Sequence, residues 1–405
     1  MMDLLAALKV KMNKPMLYAS CGAMSLWFLP AGCGHTVNSA SERVQSYAET
    51  SKMMVGNAPG SVEIADFNHD NYPDIAVTSE TDSSVTILLG NGKGDFNHSQ
   101  NSPFFAGSAP NDICIADFNK DGNPDLAFAN HEKKHLTMLL GDGKGNFTQA
   151  KNSPFPTEGI PHVHGLAAGD FNMDGWQDLA TDSWGNDRVE VLFGASTTDF
   201  GSQRKFFKAG KRPYQRLRAS DLNGDGISDI ITTNTEGNNV TVLLADGKGG
   251  FSEPTGSPFS CGDNPFNIAI GDVNGDGKPD LAVINSPSSM AEGRGNDGLT
   301  ILLNDGEGKF IMLNGSPFAA GINPNRIATG DLNADGIHDI VTSDYEGNKI
   351  YVFIRSKSGI GIAGKPLSTG KHPKGIAIAD LNGDGRGDIV VCNNADHNIA
   401  VVWSN

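Results

Sequence analysis

Short apolar runs recur along the chain, separated by clusters of Gly, Asp, Asn and Pro. One stretch gives the pattern. A strand is predicted at Asn111–Ala116, and a polar loop leads to a returning strand at Asp125–Ala129. A third strand follows at Leu136–Leu140, then a Gly-rich turn at Gly141–Gly145 and a fourth strand from Phe147 to Phe155. The third strand recurs as VTILL from Val85, VTVLL from Val240 and LTILL from Leu299. Four short antiparallel strands in about 50 residues, repeated seven times, predict an all-β chain folded as a seven-bladed β-propeller of four-stranded blades. The seventh unit stops after its third strand, Ile399–Trp403. Ahead of the first unit, Gln45–Val55 and Gly56–Pro59 have the pattern of a fourth strand and exit turn. This N-terminal strand is expected to complete the last blade, closing the ring and removing its open edges. Turns are degenerate at Gly194–Phe200 and Arg355–Gly361, and the fifth unit carries an insertion near Ser286–Asn296.

The loop between the first two strands is the same in every unit. It reads DFNHDNYPD from Asp66, DFNKDGNPD from Asp117, DFNMDGWQD from Asp170 and DLNGDGISD from Asp221. It continues as DVNGDGKPD from Asp272, DLNADGIHD from Asp331 and DLNGDGRGD from Asp380. Hard cations such as Ca²⁺ take six to eight oxygens, which a tight loop can offer from alternate positions. The expected ligands, one set per blade and up to seven Ca²⁺ in all, are Asp66, Asn68, Asp70, Tyr72 and Asp74 in the first loop, then Asp117, Asn119, Asp121, Asn123 and Asp125 in the second. The third and fourth loops offer Asp170, Asn172, Asp174, Trp176 and Asp178, and Asp221, Asn223, Asp225, Ile227 and Asp229. The last three offer Asp272, Asn274, Asp276, Lys278 and Asp280, then Asp331, Asn333, Asp335, Ile337 and Asp339, and finally Asp380, Asn382, Asp384, Arg386 and Asp388. The seventh residue of each loop would contribute its carbonyl. Gly at the sixth position permits the left-handed turn, and Asn71 replaces it in the first loop. An EF-hand would need Glu at position twelve, where these loops have Val, Phe or Thr. Each loop therefore turns a hairpin between strands.

Composition agrees with a turn-rich β fold. Gly is 50 of 405 residues and Pro 20, with 19% charged residues, and no collagen or heptad period runs through the chain. The net charge of −16 argues against nucleic acid as a partner. The acidity is concentrated, however: 21 of the 47 acidic residues lie in the loops, and the other 26 are outnumbered by 31 basic residues. Cys114, Cys261 and Cys392 fall in different blades and are expected to be free thiols.

The first 33 residues have the parts of a secretory leader. Lys9, Lys11 and Lys14 precede an apolar stretch from Met16 to Leu29, which at about 14 residues is too short to span a bilayer. Gly32-Cys33 resembles the end of a bacterial lipoprotein signal, which implies Cys33 as a lipidation site; Pro30 departs from that pattern. The expected organisation is a leader at 1–33, a linker at 34–44 and the propeller at 45–405, exported and then lipid-anchored at the cell envelope or secreted.

The loops, the turn DGKGNF and the exit FFAGSAP at Phe104–Pro110 resemble the FG-GAP (VCBS-type) repeat family. That family includes integrin α-subunit propellers and many secreted bacterial proteins. The resemblance covers residues 45–405 and implies a calcium-binding propeller, in a family of adhesins, lectin-like binders and parts of lyases.

In such a blade the acidic loops share one rim, and the turns between second and third strands share the other with the blade connections. This second rim varies from unit to unit. It holds Pro161, His162, His164, Lys211, Arg212, Tyr214, Arg326, Lys371, His372 and Lys374, with His131, His135, Trp184, Tyr345 and His397 on the turns. The channel wall is expected at Ser61, Asp112, Gly165, Arg216, Asn267, Arg326 and Gly375. The favoured reading is a monomeric binding module for carbohydrate or an envelope protein, using Lys211, Arg212, Tyr214, Arg216, Arg326, Lys371, Lys374 and Trp184. The alternative is a polysaccharide lyase, with His162 or His164 and Tyr214 as acid and base and Arg216 or Arg326 neutralising a uronate. No compact catalytic motif supports the alternative. His162 and His164 show no third metal ligand along the chain and are expected to be a solvated pair.

Overall fold

A computed structural model describes residues 47–49, 52–160, 162–196, 199–286, 298–356, 359–362 and 366–405. The leader, Cys33, Pro161 and most of the expected insertion lie outside these residues. Seven antiparallel sheets follow one another along the chain, six pairing their strands in sequence order from the inside outward and the last taking its outer strand from the N-terminal segment. Blades 1 to 7 begin with first strands at Pro59–Ala65, Pro110–Ala116, Leu166–Gly169, Pro213–Ser220, Pro265–Gly271, Pro324–Gly330 and Pro373–Ala379. The all-β propeller and its blade order are as the repeat predicts.

The N-terminal strand closes the ring. Tyr47–Glu49 lies antiparallel to the last strand, Asn398–Ser404, with Tyr47 opposite Ser404, and Met53–Met54 continues the pairing opposite Ile399 and Asn398.

The outer strand differs from the expected single run. In blade 2 it is broken into Phe147–Gln149 and Phe155–Pro156 around Ser153-Pro154. Pro has no N–H for the ladder, and the Ser153 hydroxyl accepts the Met138 N–H instead, at 2.9 Å. The same Ser-Pro break occurs after Ser102, Ser257 and Ser316. Blade 3 has no Pro in this segment, and its outer strand runs unbroken from Asp199 to Lys208.

Core residues sit between neighbouring sheets. The second residue of each acidic loop turns inward: Phe67, Phe118, Phe171, Leu222, Val273, Leu332 and Leu381 are all buried. Phe67 packs among Ile113, Ile115, Leu126, Phe128 and Phe147 of blade 2. Burying such a side chain stabilises the fold by about 1.5–3 kcal/mol. The loop between Asp66 and Asp74 is thereby nailed to the next blade.

Candidate functional site

The acidic loops are built alike in all seven blades. In the second loop the Asp121 N–H donates to both Asp117 Oδ1 (3.1 Å) and Asn119 Oδ1 (2.8 Å), the Gly122 N–H donates to Asp117 Oδ2, and the Asn123 N–H donates to Asp121 Oδ1. The equivalent bonds recur around Asp66, Asp170, Asp221, Asp272, Asp331 and Asp380. Position six is left-handed, as expected, at Asn71 and Gly122 (φ 68° and 86°). Position four is left-handed too, at His69, Lys120, Met173 and Ala334 as well as at glycines, which the sequence pattern did not signal.

The ninth-position carboxylates are fully buried at Asp74, Asp125, Asp178, Asp229, Asp280, Asp339 and Asp388. Each receives two backbone N–H groups, one from the second residue of its own loop and one from the end of the third strand. Asp125 takes them from Phe118 (2.9 Å) and Gly141 (2.8 Å). The other six repeat the arrangement. Burial pushes Asp125 up to about 7; its two N–H donors pull the other way, and the charges of Asp121 and Asp117 raise it further. Asp339 is pushed to about 8 in the same way. A carboxylate offers about four lone-pair sites, so two N–H donors leave room for a metal. Carboxylate and amide oxygens at alternate positions of one tight loop are the donor type that a hard divalent cation takes.

On the other rim, the turns between second and third strands pair with the blade connections: His131 N–H to Ala109, Thr235 N–H to Arg212, Tyr345 N–H to Asn323, Asn394 N–H to His372. Much of its expected positive charge is paired internally. Lys211 and Arg212 share Glu236 at 2.8 and 3.0 Å, and Lys374 pairs with Glu80. Arg216 is buried rather than poised for solvent. It reaches from blade 4 to Ser61 Oγ of blade 1 (2.8 Å) and forms an ion pair with Asp112 of blade 2. Asp112 Oδ2 in turn accepts the Leu166 N–H of blade 3. Arg216 is therefore a strut across the ring. Arg326 is also buried, and its Nε and Nη1 have no hydrogen-bond partner among the described residues. Lys371 is exposed. Among the other rim residues, Tyr345 stacks on His372 (centroids 4.4 Å), His135 meets Asn130 at 2.8 Å, and His397 Nδ1 accepts the Ala58 N–H.

His162 and His164 are not a solvated pair. His164 is fully buried, His162 is half-buried, and their Nε2 atoms stand 3.2 Å apart. His131 joins them from the turn of blade 2, with ring centroids 4.5 Å from His162 and 4.7 Å from His164. Tyr214 lies against His164 (4.3 Å), Trp184 against Tyr214 (5.6 Å), and the Arg212 guanidinium covers the Trp184 ring at 4.8 Å. Burial, with the neighbouring imidazoles, holds His162 down at about 4 and His131 below the ordinary histidine value. Sequence reasoning placed His131 on this rim but could not bring it to His162, because blade stacking alone decides that contact.

Fold and loops together define a β-propeller with seven acidic hairpin loops on one rim and an asymmetric aromatic and histidine cluster on the other. The chain belongs to the FG-GAP-like repeat family, which it matches at residues 66–128, 117–181, 221–283 and 331–391, with a further FG-GAP repeat match at 264–303. No curated protein sequence matches it. Solved structures share the fold at low identity. A virginiamycin B lyase from Staphylococcus aureus, solved with quinupristin, is 14% identical with a TM-score of 0.54, over 88% of this chain and 99% of that one. An Agrocybe aegerita lectin, described as recognising non-reducing terminal N-acetylglucosamine, is 18% identical with a TM-score of 0.52, over 86% and 85%. BBS1N, in complex with ARL6DN, is 10% identical with a TM-score of 0.58, over 89% and 97%. Cys114, Cys261 and Cys392 are buried free thiols, and no helix among the described residues is long and apolar enough to cross a membrane.

Proposed function

We propose that this chain is an exported, calcium-stabilised binding module whose ligand face is the rim opposite the acidic loops. The observation that carries this reading is the contrast between the rims. One repeats a single hydrogen-bonded loop seven times, whereas the other gathers His131, His162, His164, Trp184, Arg212 and Tyr214 in one place only. A scaffold repeats; a recognition surface does not. In each loop the first, third, fifth and ninth side chains and the seventh carbonyl would hold Ca²⁺, which supplies the positive charge that the buried carboxylates lack. The ligand class is carbohydrate or an envelope protein. The Trp184 and Tyr214 rings provide stacking faces, with the Arg212 guanidinium beside both. The leader at 1–33, with lipidation at Cys33, would place the module at the cell envelope.

A glycan array probed with the calcium-loaded protein tests this reading. Binding should appear, and it should fall with Trp184→Ala while calcium-dependent melting stays as in the wild type. Binding abolished by Asn68→Ala in a still-folded protein, with Trp184→Ala unaffected, would put the ligand on the calcium rim instead. One observation favours the lyase reading: the half-buried Tyr214 lies against His164, ring centroids 4.3 Å apart. Ultraviolet absorbance rising on a uronate polymer would establish that activity; binding without turnover would exclude it.

A further inference from the structure

The three histidines at the mouth of blades 2 and 3 have the geometry of a metal site of a different kind. Nitrogens bound at about 2.0–2.1 Å to one tetrahedral zinc stand about 3.4 Å apart. His162 Nε2 and His164 Nε2 are 3.2 Å apart, and one ring nitrogen from each of His131, His162 and His164 falls within 4.8 Å of the others. Among the described residues no other group of His, Cys, Asp and Glu converges in this way.

A second observation concerns the buried side of the cluster. His164 Nδ1 faces Asp182 Oδ2 at 3.6 Å, both side chains are fully buried, and neither atom has a hydrogen-bond partner among the described residues. The Asp182 carboxylate is itself fixed, because its Oδ1 accepts the N–H groups of His164 (2.9 Å) and Gly165 (2.6 Å). A carboxylate behind a histidine is the arrangement that orients metal-bound imidazoles. Drawing His164 Nδ1–H onto Asp182 leaves Nε2 free to ligate on the side of His131 and His162.

We propose that His131, His162 and His164 bind a divalent transition-metal ion, of which Zn²⁺ is the natural occupant, with Asp182 as the positioning residue behind His164. Three neutral nitrogen donors select zinc-class ions over Ca²⁺ and Mg²⁺. Three protein ligands leave a fourth position for water or for a ligand oxygen. The site goes beyond the calcium-scaffold reading and does not rest on it, since none of the three histidines belongs to an acidic loop.

The test is calorimetric titration of Zn²⁺ into the protein kept in excess Ca²⁺, which holds the acidic loops out of the competition. One Zn²⁺ per chain is expected. His131→Ala and His162→Ala, both at half-buried rings, should each weaken binding by more than about tenfold, and Asp182→Asn by about 10–100-fold. Co²⁺ in place of Zn²⁺ should show the visible bands of a four-coordinate ion, lost in His162→Ala. Native folding of each variant is read from its calcium-dependent melting, and His131→Gln replaces His131→Ala if the latter melts early. No Zn²⁺ uptake by the wild type, or equal uptake by a folded double variant of His131 and His162, would overturn the proposal.

Discussion

Replacing Asp125 by Ala would strip two buried N–H groups, those of Phe118 and Gly141, of their acceptor. Each such loss costs about 1–3 kcal/mol. Urea unfolding in the presence of chelator should therefore show Asp125→Ala destabilised by about 2–6 kcal/mol, with Asn119→Ala, at a half-buried loop residue, changing by less than about 1 kcal/mol. Equal effects would mean that the ninth-position carboxylate is a metal ligand and nothing more. Arg216→Ala is a second case. It leaves the buried Asp112 with Arg218, 3.9 Å away, as its remaining ion-pair partner, and removing one partner of a buried pair costs about 3–5 kcal/mol. The variant should melt well below the wild type whether or not calcium is present; an unchanged melting curve would contradict the strut. The sequence offers Arg216 to a ligand, and the structure engages its side chain with Ser61 and Asp112. Loop oxygens were legible because their spacing is local. The partners of Arg216 and the third histidine were not, since Ser61, Asp112 and His131 come from other blades and no local pattern encodes which side chains meet across a ring.

At the scale of elements, strand order could be read from the alternation of apolar runs and turns, and the ring closure from a fourth-strand pattern ahead of the first unit. The break in the outer strands escaped that reading. A Ser-Pro pair inside an apolar run looks continuous in pattern, yet Pro interrupts the ladder and the serine hydroxyl takes over one acceptor. Deleting residues 45–55 would remove the strand opposite Val402–Ser404 and Asn398–Ile399, exposing an edge that bears Trp403. Exposed edges invite pairing with other chains. The truncated protein should aggregate or unfold with lost cooperativity, as measured by light scattering and thermal melting, whereas deletion of the linker at 34–44 should leave both unchanged. Identical behaviour of the two deletions would contradict the closure.

At the scale of the whole molecule, the acidic charge is concentrated in the seven repeated loops. Seven Ca²⁺ would offset 14 of the 21 loop carboxylate charges, and a net charge of −16 would become −2. Cations bound only by the native state stabilise it by mass action. The most direct test of this account is calorimetric titration of Ca²⁺ into chelator-stripped protein, followed by melting of the same sample. The account predicts uptake of up to seven Ca²⁺ per chain and a melting temperature raised by many degrees, with Mg²⁺ restoring little of it. No heat of calcium binding, together with a melting curve unchanged in excess chelator, would contradict it.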